Sequence, residues 1–143
     1  MVGIIIVTHG PLAHALVETA EMIVGSQDNV HAVALNADGN LDRLRDKVEA
    51  LAVTADTGQG LLVLVDMPGG TPANAVASGL RCQAWQCLCG VNLPMVLEAL
   101  LLRQQMPLAE LAARVESAAC QGVVNLNAAL ERQGNSTEPD VIE

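Results

Sequence analysis

The stretch Val2-Gly-Ile-Ile-Ile-Val7, continued by Thr8-His9-Gly10 and Pro11, decides the fold. An unbroken β-branched run such as Ile4 to Val7 leaves no polar face for water. It reads as a strand covered on both sides, the situation of a parallel sheet. Thr8-His9-Gly10 ends the run. Pro11 suits a first helical position, where its missing N–H leaves no bond unmade. A helix from Pro11 to Val24 follows, with Leu12, Leu16, Ala20 and Ile23 as an apolar stripe and Gly25 as its C-terminal cap.

The same alternation continues outward. Val30 to Leu35 reads as a second strand, and a turn at Ala37-Asp-Gly-Asn40 leads into a helix over Leu41 to Ala52, with Leu44, Val48 and Leu51 on one face. Leu61-Leu-Val-Leu-Val65 is a third buried strand with Asp66 at its tip. After the loop Met67-Pro-Gly-Gly-Thr71, a helix runs from Pro72 to Leu80, with Thr71 as its cap. Gln83 to Val91 reads as a fourth strand, Asn92-Leu-Pro94 opens a helix to about Gln105, and Pro107 to Leu130 is helical with Gly122 as a break. Strand and helix in alternation predict an α/β three-layer sandwich on a mainly parallel four-stranded sheet of order 2-1-3-4, flavodoxin-like. Residues 1–131 form one domain in this reading, and the polar tail 132–143 is flexible or an edge strand.

Composition narrows the function. The chain has 143 residues, 51% of them hydrophobic, enough for a sizeable core. Trp85 is its single aromatic, so the stacking platforms of single-strand nucleic-acid binders are missing. A net charge of −9 repels phosphate backbones and anionic membrane surfaces alike; it suits simple solubility first and a basic protein partner second. Cys82, Cys87, Cys89 and Cys120 lack the paired spacing of a zinc site and read as buried free thiols in a reducing cytoplasm. Met1 leads straight into the apolar run with no basic leader, and no apolar stretch reaches the ~18 residues of a membrane span.

Ligands of such sheets bind at the carboxyl ends of the strands, beside the point where strand order reverses. His9 and Asp66 stand at two such ends, and order 2-1-3-4 makes their strands neighbours. A carboxylate on one ring nitrogen fixes the tautomer and leaves the other nitrogen as a nucleophile. Gly69 and Gly70, leading into a helix start, offer backbone N–H groups to an anion, and Thr71 and Thr8 could add hydroxyls. No Walker A sequence is present. His14 reads as a surface residue, and His31 lies at the opposite, amino end of its strand. The pattern points to a histidine that carries a phosphoryl group, with no metal and no cofactor.

Three motifs sharpen this reading. Ile4-Ile-Ile-Val-Thr-His-Gly10 with Leu12-Ala13, Glu21-Met22 and Gly25, then Leu64-Val-Asp-Met-Pro-Gly-Gly-Thr-Pro72 with Asn74, then Gly90-Val-Asn-Leu-Pro-Met95 with Leu97-Glu98, resemble the mannose-family enzyme IIA domains of the bacterial sugar phosphotransferase system (PTS). The resemblance covers nearly all of residues 1–130. It implies that His9 accepts a phosphoryl group from the phosphocarrier HPr and passes it to an enzyme IIB, which serves a membrane permease that this chain meets only indirectly. It implies Asp66 as the partner carboxylate, Thr71 at the phosphoryl site, and a homodimer with an exchanged C-terminal strand. The chain departs from the family at Pro68, where an aromatic is common, at Ala73, where Phe is common, and in its polar tail. Two neighbouring readings share the histidine: the phosphotransfer subunit of dihydroxyacetone kinase, and a regulator controlled by His9 phosphorylation. A histidine phosphatase, by contrast, resembles Arg-His-Gly at the strand tip, and here Thr8 replaces that arginine.

Overall fold

In the computed structural model, which describes residues 1–80 and 84–134, four parallel strands form one sheet in the order β2-β1-β3-β4. They are β1 (Gly3–His9), β2 (Val30–Leu35), β3 (Leu61–Val65) and β4 (Trp85–Cys89). Six α-helices connect and cover them: α1 (Leu12–Val24), α2 (Leu41–Ala55), α3 (Thr71–Ala77), α4 (Leu93–Leu102), α5 (Leu108–Gln121) and α6 (Leu126–Gly134). The α/β order predicted from the sequence is the order found.

The two central strands explain the layers. Gly3 to Thr8 and Leu61 to Val65 are buried along their whole length. Ile4, Ile6, Leu62 and Leu64 point to the face covered by α1, α4 and α5. Ile5, Val7, Val63 and Val65 point to the face covered by α2, with Val76 of α3 and Trp85. A strand with hydrophobic partners on both faces needs no alternation, which is why these read as continuous apolar runs.

Local chemistry sets the helix ends. Asn40 caps α2 by accepting the Arg43 N–H at 2.9 Å, and Leu44, Val48, Ala52 and Ala55 form its buried stripe. Asn92 caps α4 by accepting the Met95 N–H at 2.9 Å, and its amide donates to the Ala119 carbonyl at 3.1 Å. One side chain thus ties the start of α4 to the end of α5.

Several expectations are corrected. The buried stripe of α1 is Ala13 and Ala20, flanked by half-buried Leu16, Val17 and Val24, while Leu12 and Ile23 are exposed. Apolar residues flank the polar line of His14, Glu18 and Glu21 on several sides, so periodicity did not fix its rotation; small Ala13 and Ala20 let its axis approach the sheet closely. The helix read from Pro72 to Leu80 is α-helical to Ala77 and tightens into a 3₁₀ turn over Ser78–Leu80. Thr71, read as its cap, is its first helical residue, and the Gly70 carbonyl accepts the Asn74 N–H. Gly122 does break the last helical region, and α6 begins at Leu126. The boundary drawn between residues 131 and 132 falls inside α6, and the proposed exchanged strand lies outside the described residues. Of the cysteines, Cys89 at the end of β4, an edge strand among the described residues, and Cys120 near the end of α5 are exposed, and Cys87 is half-buried; Cys82 lies outside the described residues. Burial, then Cys89 beside it, pushes the Cys87 thiol up to about 12.

Candidate functional site

The reversal in strand order falls between β1 and β3, since the chain leaves β1 for β2 on one side and returns to β3 on the other. The register pairs Val7 with Val65, so Asp66 emerges level with Thr8 and His9. The side chains meet there. Asp66 Oδ2 accepts the His9 backbone N–H at 2.9 Å and lies 2.7 Å from His9 Nδ1, and Asp66 Oδ1 accepts the Met67 N–H at 3.0 Å. Every hydrogen bond holds the carboxylate in one orientation against one ring nitrogen.

The electrostatics follow from these contacts. Burial by itself would raise the Asp66 carboxyl; the His9 backbone and ring hydrogen bonds, the His9 charge and the Met67 N–H outweigh it and hold the group below its ordinary range. Asp66 is therefore an anion at neutral pH, and an anion accepts a proton-bearing Nδ1. The Nε2 lone pair is then directed away from the protein. Among the described residues nothing hydrogen-bonds Nε2, and the His9 side chain is 48% exposed while that of Asp66 is 13% exposed. A ring gripped at one nitrogen and open at the other is built for nucleophilic attack.

The glycine loop closes against this ring. A Cβ on Gly70 would stand 3.2 Å from His9 Cε1, close enough to push the ring by a few tenths of an ångström. Gly69 has φ +78°, the left-handed region that a side chain resists. Thr71 begins α3 and is half-buried beside them. Thr8 is placed differently: it is fully buried, and its Oγ1 accepts the Ala13 N–H at 2.8 Å. Its hydroxyl fixes the first turn of α1, where Pro11 supplies no side-chain bond. His14 is exposed on α1 and His31 sits at the amino half of β2, hydrogen-bonded at 2.9 Å to Asn29.

Two supports of the site were missed in the sequence. The Leu35 carbonyl at the tip of β2 accepts the Gly10 N–H at 2.8 Å, steadying the turn after His9, and Met67 serves Asp66 through its backbone. Backbone contacts carry no residue signature, so no pattern announces them. Among the described residues no group of three or more His, Cys, Asp or Glu is arranged to hold a metal, and no helix is long and apolar enough to cross a membrane.

Comparison with known proteins gives this geometry a context. The family model EIIA-man, described as PTS system fructose IIA component, matches residues 3–116. The fructose-specific EIIA component of Bacillus subtilis (strain 168) is 37% identical over 112 residues, covering 78% of this chain and 77% of that protein. The mannose-specific EIIAB component of Escherichia coli (strain K12) is 37% identical over 107 residues, covering 74% of this chain; the match spans only 33% of that longer protein. The crystal structure of the EIIA component from Streptococcus agalactiae superposes with a TM-score of 0.83 at 27% identity, covering 90% of this chain and 99% of that one. All three motifs quoted from the sequence fall inside the matched residues. The chain belongs to the EIIA-man family of PTS components.

Proposed function

We propose that this PTS component is a phosphotransferase that accepts a phosphoryl group on His9 Nε2 from the phosphohistidine of HPr and hands it to an enzyme IIB. The observation that carries the reading is the His9–Asp66 pair at 2.7 Å with the opposite ring nitrogen free and exposed. The Nε2 lone pair attacks phosphorus, and the P–N bond of the donor breaks. The donor ring, protonated on its other nitrogen, leaves as a neutral imidazole. The proton on His9 Nδ1 stays facing Asp66, whose charge balances the phosphoimidazolium that forms. Passing the group to an enzyme IIB is the same step with His9 as the leaving ring.

Gly69, Gly70 and Thr71 are the groups proposed to receive the phosphoryl oxygens, supported by the closeness of Gly70 to the His9 ring, where an added Cβ would stand 3.2 Å from Cε1. Thr8, first named with them, contributes by holding α1. The incoming phosphoryl is already activated on the donor, so this step calls on no metal or organic cofactor. The compartment is the cytoplasm, where HPr resides, and the permease is reached only through the enzyme IIB. A homodimer is the proposed assembly, supported by the edge of β4, unpaired among the described residues, and by exposed Val123, Val124, Leu126 and Leu130; sedimentation velocity checks it.

The test is phosphoryl transfer from phosphoenolpyruvate through enzyme I and HPr, read by intact mass and by acid lability. One acid-labile phosphoryl that disappears in His9→Ala supports the relay. Labelling that persists in His9→Ala, or no labelling by the organism's own HPr, overturns it.

A further inference from the structure

A large cavity lies away from the His9 edge. It measures about 1090 Å³ and runs along the free edge of β2, between α1 and α2. Val17, Glu18, Glu21 and Met22 of α1 wall one side; Lys47, Ala50 and Leu51 of α2 wall the other. Val30, His31 and Ala32 of β2 form the floor.

The backbone of that floor has hydrogen bonds to give. The Asn29 carbonyl accepts the Ile4 N–H and the Leu35 carbonyl accepts the Gly10 N–H, so the odd-numbered residues of β2 turn their polar groups towards β1. Val30, Ala32 and Ala34 therefore turn theirs outward, to the open edge. Natural edges are blunted by lysine, proline or a bulge within the strand. Val30-His-Ala-Val-Ala-Leu35 has none of these, and its register with β1 is unbroken. Among the described residues no strand pairs with this edge, which leaves it as a template with two helices overhanging it.

The walls say what fits. Successive side chains of an added strand point to opposite faces of the sheet. On the α1 face they would meet the carboxylates of Glu18 and Glu21 and the apolar Val17 and Met22. On the α2 face they would meet Lys47, His31, Ala50 and Leu51. We infer that the β2 edge is a docking groove for an extended segment of a partner protein whose side chains alternate, basic towards α1 and acidic towards α2, around an apolar centre. Main-chain bonds to Ala32 and its outward neighbours supply the affinity, and the opposed charges of the walls supply register. A second copy of this chain fits poorly. Antiparallel pairing of two β2 edges about an axis through the sheet sets Glu18 and Glu21 against themselves and Lys47 against Lys47. The groove lies towards Val30, while His9 pairs with Leu35 at the far end of β2, so an occupant leaves the His9 edge open.

The probe is the acetylated, amidated hexapeptide Lys-Glu-Val-Ile-Lys-Glu, followed by fluorescence anisotropy with a terminal dye. Its control, Glu-Lys-Val-Ile-Glu-Lys, has the same composition with the charges exchanged between faces. Saturable binding is expected, at least ~tenfold tighter for the first peptide, a difference the opposed pairs can supply. Ala32→Pro removes an outward N–H at an edge position that tolerates proline and should abolish binding. If that variant does not fold, Glu18→Lys with Lys47→Glu decides, since both residues are exposed and the pair should reverse the preference between peptides. Equal affinity for both peptides, no binding at millimolar peptide, binding that survives Ala32→Pro, or a dimer that Ala32→Pro converts to monomer overturns the inference. None of these readouts involves His9, so relay and groove stand or fall separately.

Discussion

The two ends of the sheet solve the same problem in opposite ways. At the carboxyl end, His9 and Asp66 lie 57 residues apart in the chain and join β1 to the tip of β3. At the amino end, Arg103 follows α4 and reaches back some 75 residues to the segment before β2. Its guanidinium donates to the carbonyls of Asn29 (3.0 Å) and Asp28 and to Gln27 Oε1 (3.2 Å). Both groups keep one ring or guanidinium nitrogen unpaired: His9 Nε2 and Arg103 Nε. His9 is 48% exposed, and Arg103 is 1% exposed. An open lone pair is a nucleophile, whereas a sealed N–H is a desolvation cost borne by the bonds around it. Burial pulls the Arg103 guanidinium below its ordinary range, opposed in part by the charge of Asp28. Residue chemistry and exposure together separate the two ends: an exposed imidazole nitrogen with a lone pair to offer at one, a buried guanidinium that can only donate at the other.

Substitutions at four residues test that contrast. His9→Ala should lower phosphoryl transfer by at least about a thousandfold, as loss of a nucleophile does, and leave the urea midpoint nearly unchanged. A large stability loss would show that the reactive end also fastens. Arg103→Met is the converse: it keeps the apolar stem but leaves Asn29, Asp28 and Gln27 without their donor. It should cost about 3 kcal/mol in urea unfolding, with transfer per folded molecule unchanged. Transfer lost in step with stability would join the two ends that the contrast separates.

Asp66→Ala should slow transfer about a hundredfold while His9 still accepts the group, since orientation is lost and the nucleophile stays. The pH dependence has a definite sign. A carboxyl held below its ordinary value of 3.8 in the folded state stabilises the protein above that value, and the contribution disappears as pH falls through the lower folded value. Acid unfolding titrations of the wild type should therefore show a limb below pH 3.8 that Asp66→Asn lacks. Thr8→Val, the smallest change, removes the bond to the Ala13 N–H at constant shape and should cost about 1 kcal/mol with a transfer rate near wild type. A rate loss exceeding the stability loss would place Thr8 at the phosphoryl site after all.

Much of the site was legible in the residues. His9 and Asp66 each follow an apolar β-branched run, and a parallel sheet has few places to put a polar residue except the strand tip. Gly69-Gly70 announced a tight turn, and the His9 ring lies close against the second glycine. The rotation of α1 was not legible, because Leu12, Ala13, Leu16, Val17, Ala20 and Ile23 offer several apolar stripes and only packing against β1 and β2 selects one. Arg103 was overlooked as well. A single arginine after Leu100-Leu-Leu102 reads as a helix end, and the carbonyls that hold it lie in a segment far back in the chain.

The sequence by itself determined the alternation of strand and helix, the strand tips that carry His9 and Asp66, and the glycine turn between β3 and α3, because each rests on local periodicity or on a backbone conformation few residues adopt. Only the tertiary structure decided that His9 Nδ1 faces Asp66 and Nε2 faces water, that Thr8 turns inward to hold α1, that Arg103 closes the amino end, and that the β2 edge lies open between opposed charges. Those outcomes depend on the register between strands distant in the chain and on which flank of the sheet a helix covers, and neither is encoded in any one segment.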